Sequence, residues 1–449
     1  MLEKYVNKTE KTAPLAVFRV FFGLLMLVSI IRFWSYGWID SVYVQPKFYF
    51  SYYGFEFIKP LGEWTYLLFA ICGISSILIC LGYKYRLAII TFFLSFTYIE
   101  LIDKTTYLNH YYFISLLSFV LIFLPLNRTF SLDAYLNPKK YCRPFVPKWN
   151  IDVIKLMLSL VYIYAGLAKI NSDWLLEALP LKIWLPNKYD TPIIGSFLHQ
   201  RWIHYMFSWF GMFYDLLIPF FLLNKPTRKW AFFTVVVFHV LTHVLFPIGM
   251  FPYIMIVSTL IFFSPSFHEK FIDSLSKCLR LKKQEPSTNA KTYKSHKIIA
   301  PILSLFFLIQ LLLPWRYVLY PDELFWTEEG YRFSWRVMLI EKVGYAVFTV
   351  VDPDSGKSFE IQNSDFLTPF QIKQMSTQPD FIVQYAHMLR DHFKSQWIEN
   401  PEVYVNSRVT LNGRLSQPFI DPKINLANEK DSFAHKTWIL PFNDEIKGL

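Results

Sequence analysis

Apolar runs long enough to cross a bilayer recur through the first ~315 residues, most of them about 17–22 residues long. They are Ala13–Trp34, Thr65–Leu81, Leu87–Ile102, Tyr111–Leu126, Ile151–Ile170, His204–Leu223, Trp230–Phe246, Met250–Phe263 and Ile298–Leu313. In hydrocarbon every backbone N–H and C=O must find a partner inside its own segment, so a run of this kind has to be a helix. The pattern predicts an α-helical polytopic membrane protein with about nine transmembrane helices. Tyr43–Lys59 is also aromatic but is broken by Pro46 and closed by Pro60. It reads as an interfacial or re-entrant piece.

A net charge of +11 could point to nucleic acid, but the basic residues form no single stripe. They fall in alternate loops: Lys4, Lys8 and Lys11; Lys84 and Arg86; Arg128, Lys139, Lys140, Arg143 and Lys148; Lys225, Arg228 and Lys229; and the set from Lys270 through Arg280, Lys282, Lys283, Lys291 and Lys294 to Lys297. Alternation of this kind sets membrane topology, with basic loops and the N-terminus in the cytoplasm and the tail outside. No nucleic-acid partner is expected; the lipid bilayer is. The first run is of full span length and carries no small-residue cleavage motif. The cysteines (Cys72, Cys80, Cys142, Cys278) lie in spans or basic loops and imply no disulfide framework in the tail.

The boundary falls near Pro314, giving a helical membrane domain over 1–314 and an extracytoplasmic mixed α/β domain over 315–449. Gly344–Asp352 and Lys357–Ile361, joined by Pro353-Asp-Ser-Gly, read as a β-hairpin. Thr368–Met375 and Asp380–Lys394 read as helices, and Glu402–Leu411 alternates as a strand. No flexible linker precedes this domain, so it is expected to dock on the bundle.

Three polar groups could carry chemistry. Lys169 ends the apolar run Ile151–Ile170; an ammonium there is costly, so it is either a snorkelling side chain or a functional amine. Asp103-Lys-Thr-Thr-Tyr-Leu-Asn109-His110 places an amide and an imidazole at the opening of a span, where unpaired polar groups are expensive to bury. His239 and His243, at i and i+4, share a helix face; with no third ligand in the pattern they read as bundle-facing histidines, and no metal site is expected. Beyond the last span, Trp326 to Lys342 mixes aromatics with Arg332 and Arg336, as an interfacial belt or a pocket for an acidic side chain would. Phosphate loops, nucleophile elbows and Cys-x-x-Cys knuckles are absent.

Taken in order, Asp103-Lys-Thr-Thr-Tyr-Leu-Asn-His, Ser131-Leu-Asp, Ala165-Gly-Leu-Ala-Lys-Ile-Asn-Ser-Asp-Trp, Phe238-His with Phe246-Pro-Ile-Gly-Met-Phe-Pro-Tyr, and Gly330-Tyr-Arg-Phe-Ser-Trp resemble the vitamin K-dependent γ-glutamyl carboxylase family. Its membrane part is also called the HTTM domain. The resemblance implies an enzyme that oxidises reduced vitamin K (menaquinol or phylloquinol) to the epoxide with O2. That energy is used to carboxylate Glu side chains of a peptide or protein with CO2. It further implies Lys169 as the base, Asn109 and His110 beside the hydroquinone, His239 as a further quinone contact, and Tyr331, Arg332, Trp335 and Lys342 in the glutamate-binding stretch. A lysine serves as base only while its amine is neutral, a form that burial in apolar surroundings favours.

The chain departs from the animal pattern in having Ala168-Lys169 where those members have two lysines, Lys342 where they have an arginine, and a shorter outer domain without their disulfide. It looks like a bacterial member, which places it in the inner membrane. The alternatives are a quinone- or lipid-binding membrane protein, or a vitamin K epoxidase that carboxylates no protein.

Overall fold

The computed structural model of the chain describes residues 5–280, 296–396 and 398–448. Of the basic residues above, Lys4, Lys282, Lys283, Lys291 and Lys294 lie outside the described residues. The N-terminal part contains α1 (Ala13–Ser35), α2 (Trp64–Leu81), α3 (Tyr85–Ile102), α4 (Asn109–Phe123), α5 (Trp149–Leu167), the short α6 (Ser172–Leu176), α7 (Arg201–Leu223), α8 (Arg228–Leu245), α9 (Phe251–Ser258), α10 (Pro265–Cys278) and α11 (His296–Leu312). Every predicted run is helical, yet among the described residues seven helices are long and apolar enough to cross a membrane, or eight if one bent pair counts as a span. Prolines explain the difference from nine. A residue before proline is driven out of the helical region, so α4 stops after 15 residues, at Leu124 before Pro125. Likewise the helix begun by α9 ends at Phe262, and α10 starts at Pro265 at an angle of 114°.

Packing in the bundle depends on small residues. A Cβ on Gly23 of α1 would lie 2.5 Å from the backbone nitrogen of Cys80 and 2.6 Å from the carbonyl of Ser76, so α1 and α2 pack backbone to backbone. At the opposite end from the C-terminal region, β1 (Thr9–Lys11) pairs antiparallel with β2 (Phe145–Pro147) and ties the starts of α1 and α5 together. The segment read as interfacial or re-entrant forms no membrane-length helix. After one turn at Asp40–Val44 it runs irregularly, and its carbonyls at Phe48, Phe50 and Ser51 accept hydrogen bonds from Gln371, the Lys104 amide and Gln384. Those bonds satisfy polar backbone groups that the irregular path leaves unpaired.

The C-terminal part is a four-stranded sheet with two helices. β3 (Lys342–Val351) pairs with β4 (Ser358–Glu360) in the predicted hairpin, beginning two residues earlier than the pattern indicated. Its longer partner is β5 (Glu402–Leu411), antiparallel over all ten residues, and β6 (Gln417–Pro418) completes the order β4-β3-β5-β6. Val403, Val405, Val409 and Leu411 alternate inward on β5. α12 (Pro369–Met375) opens with a capping box between Thr368 and Gln371; α13 (Pro379–Lys394) buries Phe381, Ile382, Tyr385 and Leu389 in the same core as the sheet. The Gln371 side chain also donates to the Phe48 carbonyl at 2.7 Å and to Asp103 at 2.9 Å. This part is therefore docked on the bundle.

Candidate active site

The stretch Ala165–Trp174 turns almost every polar atom to a structural use. α5 ends at Leu167, so Lys169 lies in the turn beyond the helix and not in its last turn. The turn is held by Asn171, whose Oδ1 accepts from the Trp174 amide at 2.9 Å to cap α6 while its Nδ2 donates to the Ala168 carbonyl at 3.0 Å. Asp173, buried, accepts two hydrogen bonds from Arg414 and one from Asn412, each of 2.7 Å, and so locks this turn to the C-terminal part. The indole of Trp174 donates to the Ser208 carbonyl at 2.8 Å, and its ring lies 5.4 Å beneath the Lys169 ammonium.

Lys169 Nζ donates to Asp215 Oδ2 at 2.8 Å and to the Ala165 carbonyl at 3.0 Å. Both side chains of this pair are over nine-tenths buried. Gly166 makes the approach possible: a Cβ there would lie 2.8 Å from the backbone nitrogen of Leu216, the residue after Asp215. With no side chain between them, α5 and α7 bring amine and carboxylate together. Gly166→Val is expected to push these helices apart and lower any Lys169-dependent turnover by more than about tenfold, since misplacement of 1 Å can cost 10²-fold. Retained turnover in membranes containing normal amounts of the variant would sink this account.

Lys169 and Asp215 line a cavity of about 110 Å³ whose remaining wall is almost entirely apolar, with His239, Tyr162, Trp174 and Phe238 among its members. His239 Nε2 lies 3.1 Å from the Tyr162 hydroxyl, and its buried Nδ1 has no partner. If Tyr162 donates, Nδ1 carries the proton and is a hydrogen-bond donor aimed at nothing in the protein. His243, one turn on, is exposed and bonds Tyr253 at 3.1 Å. Among the described residues no group of three or more His, Cys, Asp or Glu is placed to hold a metal ion.

The other predicted residues are gathered at the same end of the bundle, though not all on the cavity. Buried His110 packs at a tilt against Tyr111, ring centres 4.4 Å apart, and lies behind Phe251, whose ring is 5.9 Å from His110 and 6.0 Å from His239. Asn109 donates to the Arg336 carbonyl at 3.1 Å and accepts from Tyr107, which joins α4 to the aromatic-arginine stretch. Within that stretch Tyr331 packs on Phe325, and the fully buried Trp335 lies 5.0 Å from Tyr112. Arg332 is held by Asp380 at 2.6 and 3.2 Å and by Gln378, while Lys342 pairs with Glu328 at 3.0 Å. Burial would raise the Asp380 carboxyl, but Arg332 and Lys104 hold it well below the usual carboxylate range. Burial lowers Lys342 despite Glu328.

Two features went unseen in the sequence. Asp215 was missed although a carboxylate inside an apolar run signals a partner or a function. Val337 and Met338, not Tyr331 or Trp335, carry the aromatic-arginine stretch onto the cavity wall. That stretch is bent there by left-handed backbone at Phe333, Trp335 and Met338, at φ of 63°, 61° and 54°. Strain of this kind in non-glycine residues persists only where surrounding contacts impose it, and it concentrates at functional sites.

A buried amine-carboxylate pair in an apolar cavity, set in a bundle of membrane-length helices beneath a docked α+β cap, defines a helical membrane-type protein with a candidate site inside the bundle. Residues 7–267 match the HTTM domain, and residues 295–445 match the lumenal domain of vitamin K-dependent gamma-carboxylase. The chain belongs to the vitamin K-dependent γ-carboxylase family. No solved structure matches it.

Proposed function

We infer that this chain is a vitamin K-dependent γ-carboxylase that oxidises reduced vitamin K with O2 to the epoxide and carboxylates Glu residues of a peptide or protein with CO2. The observation that carries this reading is the Lys169 amine, buried beside Asp215 in an apolar cavity that His239 also lines. A naphthoquinol fits this donor set: apolar walls for the rings, a base for one hydroxyl, and a hydrogen-bond donor for an oxygen. When bound, the hydroquinone and O2 supply the strong base that a γ-hydrogen of Glu requires, since no side chain is basic enough.

The protein's part is confined to protons, position and water. Lys169 takes a proton at Nζ, and Asp215 is the acceptor within reach that can hold a proton inside the pair. His239 donates from Nδ1, oriented through Tyr162. Phe238, Phe251 and Trp174 keep water from the reacting atoms. Asn109 and His110 support the site from behind Phe251, and Tyr331, Arg332, Trp335 and Lys342 shape the approach of the peptide under the cap.

This reading has the N-terminus in the cytoplasm, the helical domain of residues 1–314 in a bacterial inner membrane, and residues 315–449 outside. The quinol then arrives from lipid and the peptide from the extracytoplasmic side. Co-expression with Glu-rich peptides and mass spectrometry tests it: peptides heavier by the mass of CO2 per modified Glu, only with active protein, are the expected result. Epoxide formation without that mass gain would instead favour an epoxidase that carboxylates no protein. One observation favours that second reading: Arg332 and Lys342, the cations proposed to meet the substrate carboxylate, are both committed to internal ion pairs.

A further inference from the structure

Resting on the quinol reading above, the geometry points to a lateral portal between α7 and α8, closed by Phe238, through which a chain-bearing quinol enters the cavity from the bilayer. The cavity is about 110 Å³, well below the 300–1,000 Å³ usual for ligand sites, so a wall has to yield before a two-ring head group fits. Most walls cannot. Trp174 is held through Ser208, Trp184 bonds Glu341 at 2.5 Å, and Val337 and Met338 are backed by the docked cap.

The α8 side is different. α8 is the least buried of the spans, with 22% of its apolar window inside the protein, and it exposes Phe233, Val237, Val240 and Val244. Phe238 lines the cavity with one face and is itself only half-buried. Its ring stacks at 4.0 Å on Tyr214 of α7, with the exposed Phe210 at 6.3 Å, so this wall of the cavity is built of aromatic rings. A rotation of the Phe238 ring opens a slot whose far end is Lys169, Asp215 and His239 and whose near end is acyl chains. The ligand this shape admits has a polar aromatic head and an apolar chain that trails through the slot into the membrane. Phe238 therefore selects for chain-bearing quinols and sets how fast they load.

The test uses the full chain in phospholipid nanodiscs and a naphthoquinone bearing a four-isoprene chain, with binding followed by quenching of tryptophan fluorescence. Phe238→Ala is expected to raise the loading rate and Phe238→Trp to lower it, each by about tenfold, because a gated site binds more slowly than an open one. Phe233→Ala, facing lipid on the same helix away from the cavity, leaves the rate unchanged. Loading at the unaltered rate in both Phe238 variants, with binding retained, overturns the portal and leaves the quinol reading standing. Absence of binding by the unaltered protein overturns both.

Discussion

Replacing Lys169 with Ala is expected to lower hydroquinone oxidation by about 10²–10⁴-fold, the range over which a positioned acid or base acts. Truncation also strands the buried Asp215, which among the described residues accepts a hydrogen bond from Lys169 and from no other side chain. Removing one member of a buried ion pair costs about 3–5 kcal/mol, so lost activity could reflect lost protein. The double variant Lys169→Ala, Asp215→Ala separates the two effects. It removes both charges and is expected to regain thermal stability while remaining inactive. Small exogenous amines that fit the vacated space are expected to restore part of the epoxide formed by the single variant. Oxidation within about threefold of normal in the single variant would remove Lys169 from the role of base.

The second large effect falls on stability. Asp380, in the first turn of α13, accepts from Arg332 at 2.6 Å and from Lys104 at 2.7 Å, so one carboxylate ties the 331–336 stretch and the 103–106 turn to the cap. Asp380→Asn leaves two buried cations short of a charge and is expected to cost about 3–5 kcal/mol. The pH dependence has a definite sign. Because the carboxyl is held below its ordinary value in the folded protein, its contribution is complete above about pH 4, the unfolded value, and falls away as pH drops below it. Melting temperatures between pH 3 and 7 should therefore decline more steeply on the acid side for the unaltered protein than for Asp380→Asn. Parallel acid limbs would show that Asp380 is not the group responsible.

The residues most exposed to error in reading the chain were those whose meaning depends on a distant partner. Lys169 stood out because charge next to a long apolar run is rare, and Asn109 and His110 because they open a span. Asp215 carried the same signal, yet nothing local says that it faces Lys169, 46 positions earlier. Arg332 and Lys342 illustrate the converse. Their charge suggested a grip on an acidic substrate, whereas Asp380 and Glu328 already hold them.

By itself, the sequence determined the apolar periodicity and the local stereochemistry. From these follow nine helical runs, the prolines that cut two of them short, the hairpin at Pro353–Gly356 and the strand Glu402–Leu411. It also contained the ordered motifs that mark the family. Those properties are set within a few residues, by helix pitch, strand alternation and fixed proline φ. Only the tertiary structure decided that Gly166 lets α5 meet α7, that Asp215 pairs with Lys169, that Phe251 stands between two histidines, and that Phe238 of α8 lines the same cavity. Each of these depends on the approach of side chains far apart in the chain, a matter of packing and desolvation that no local pattern records.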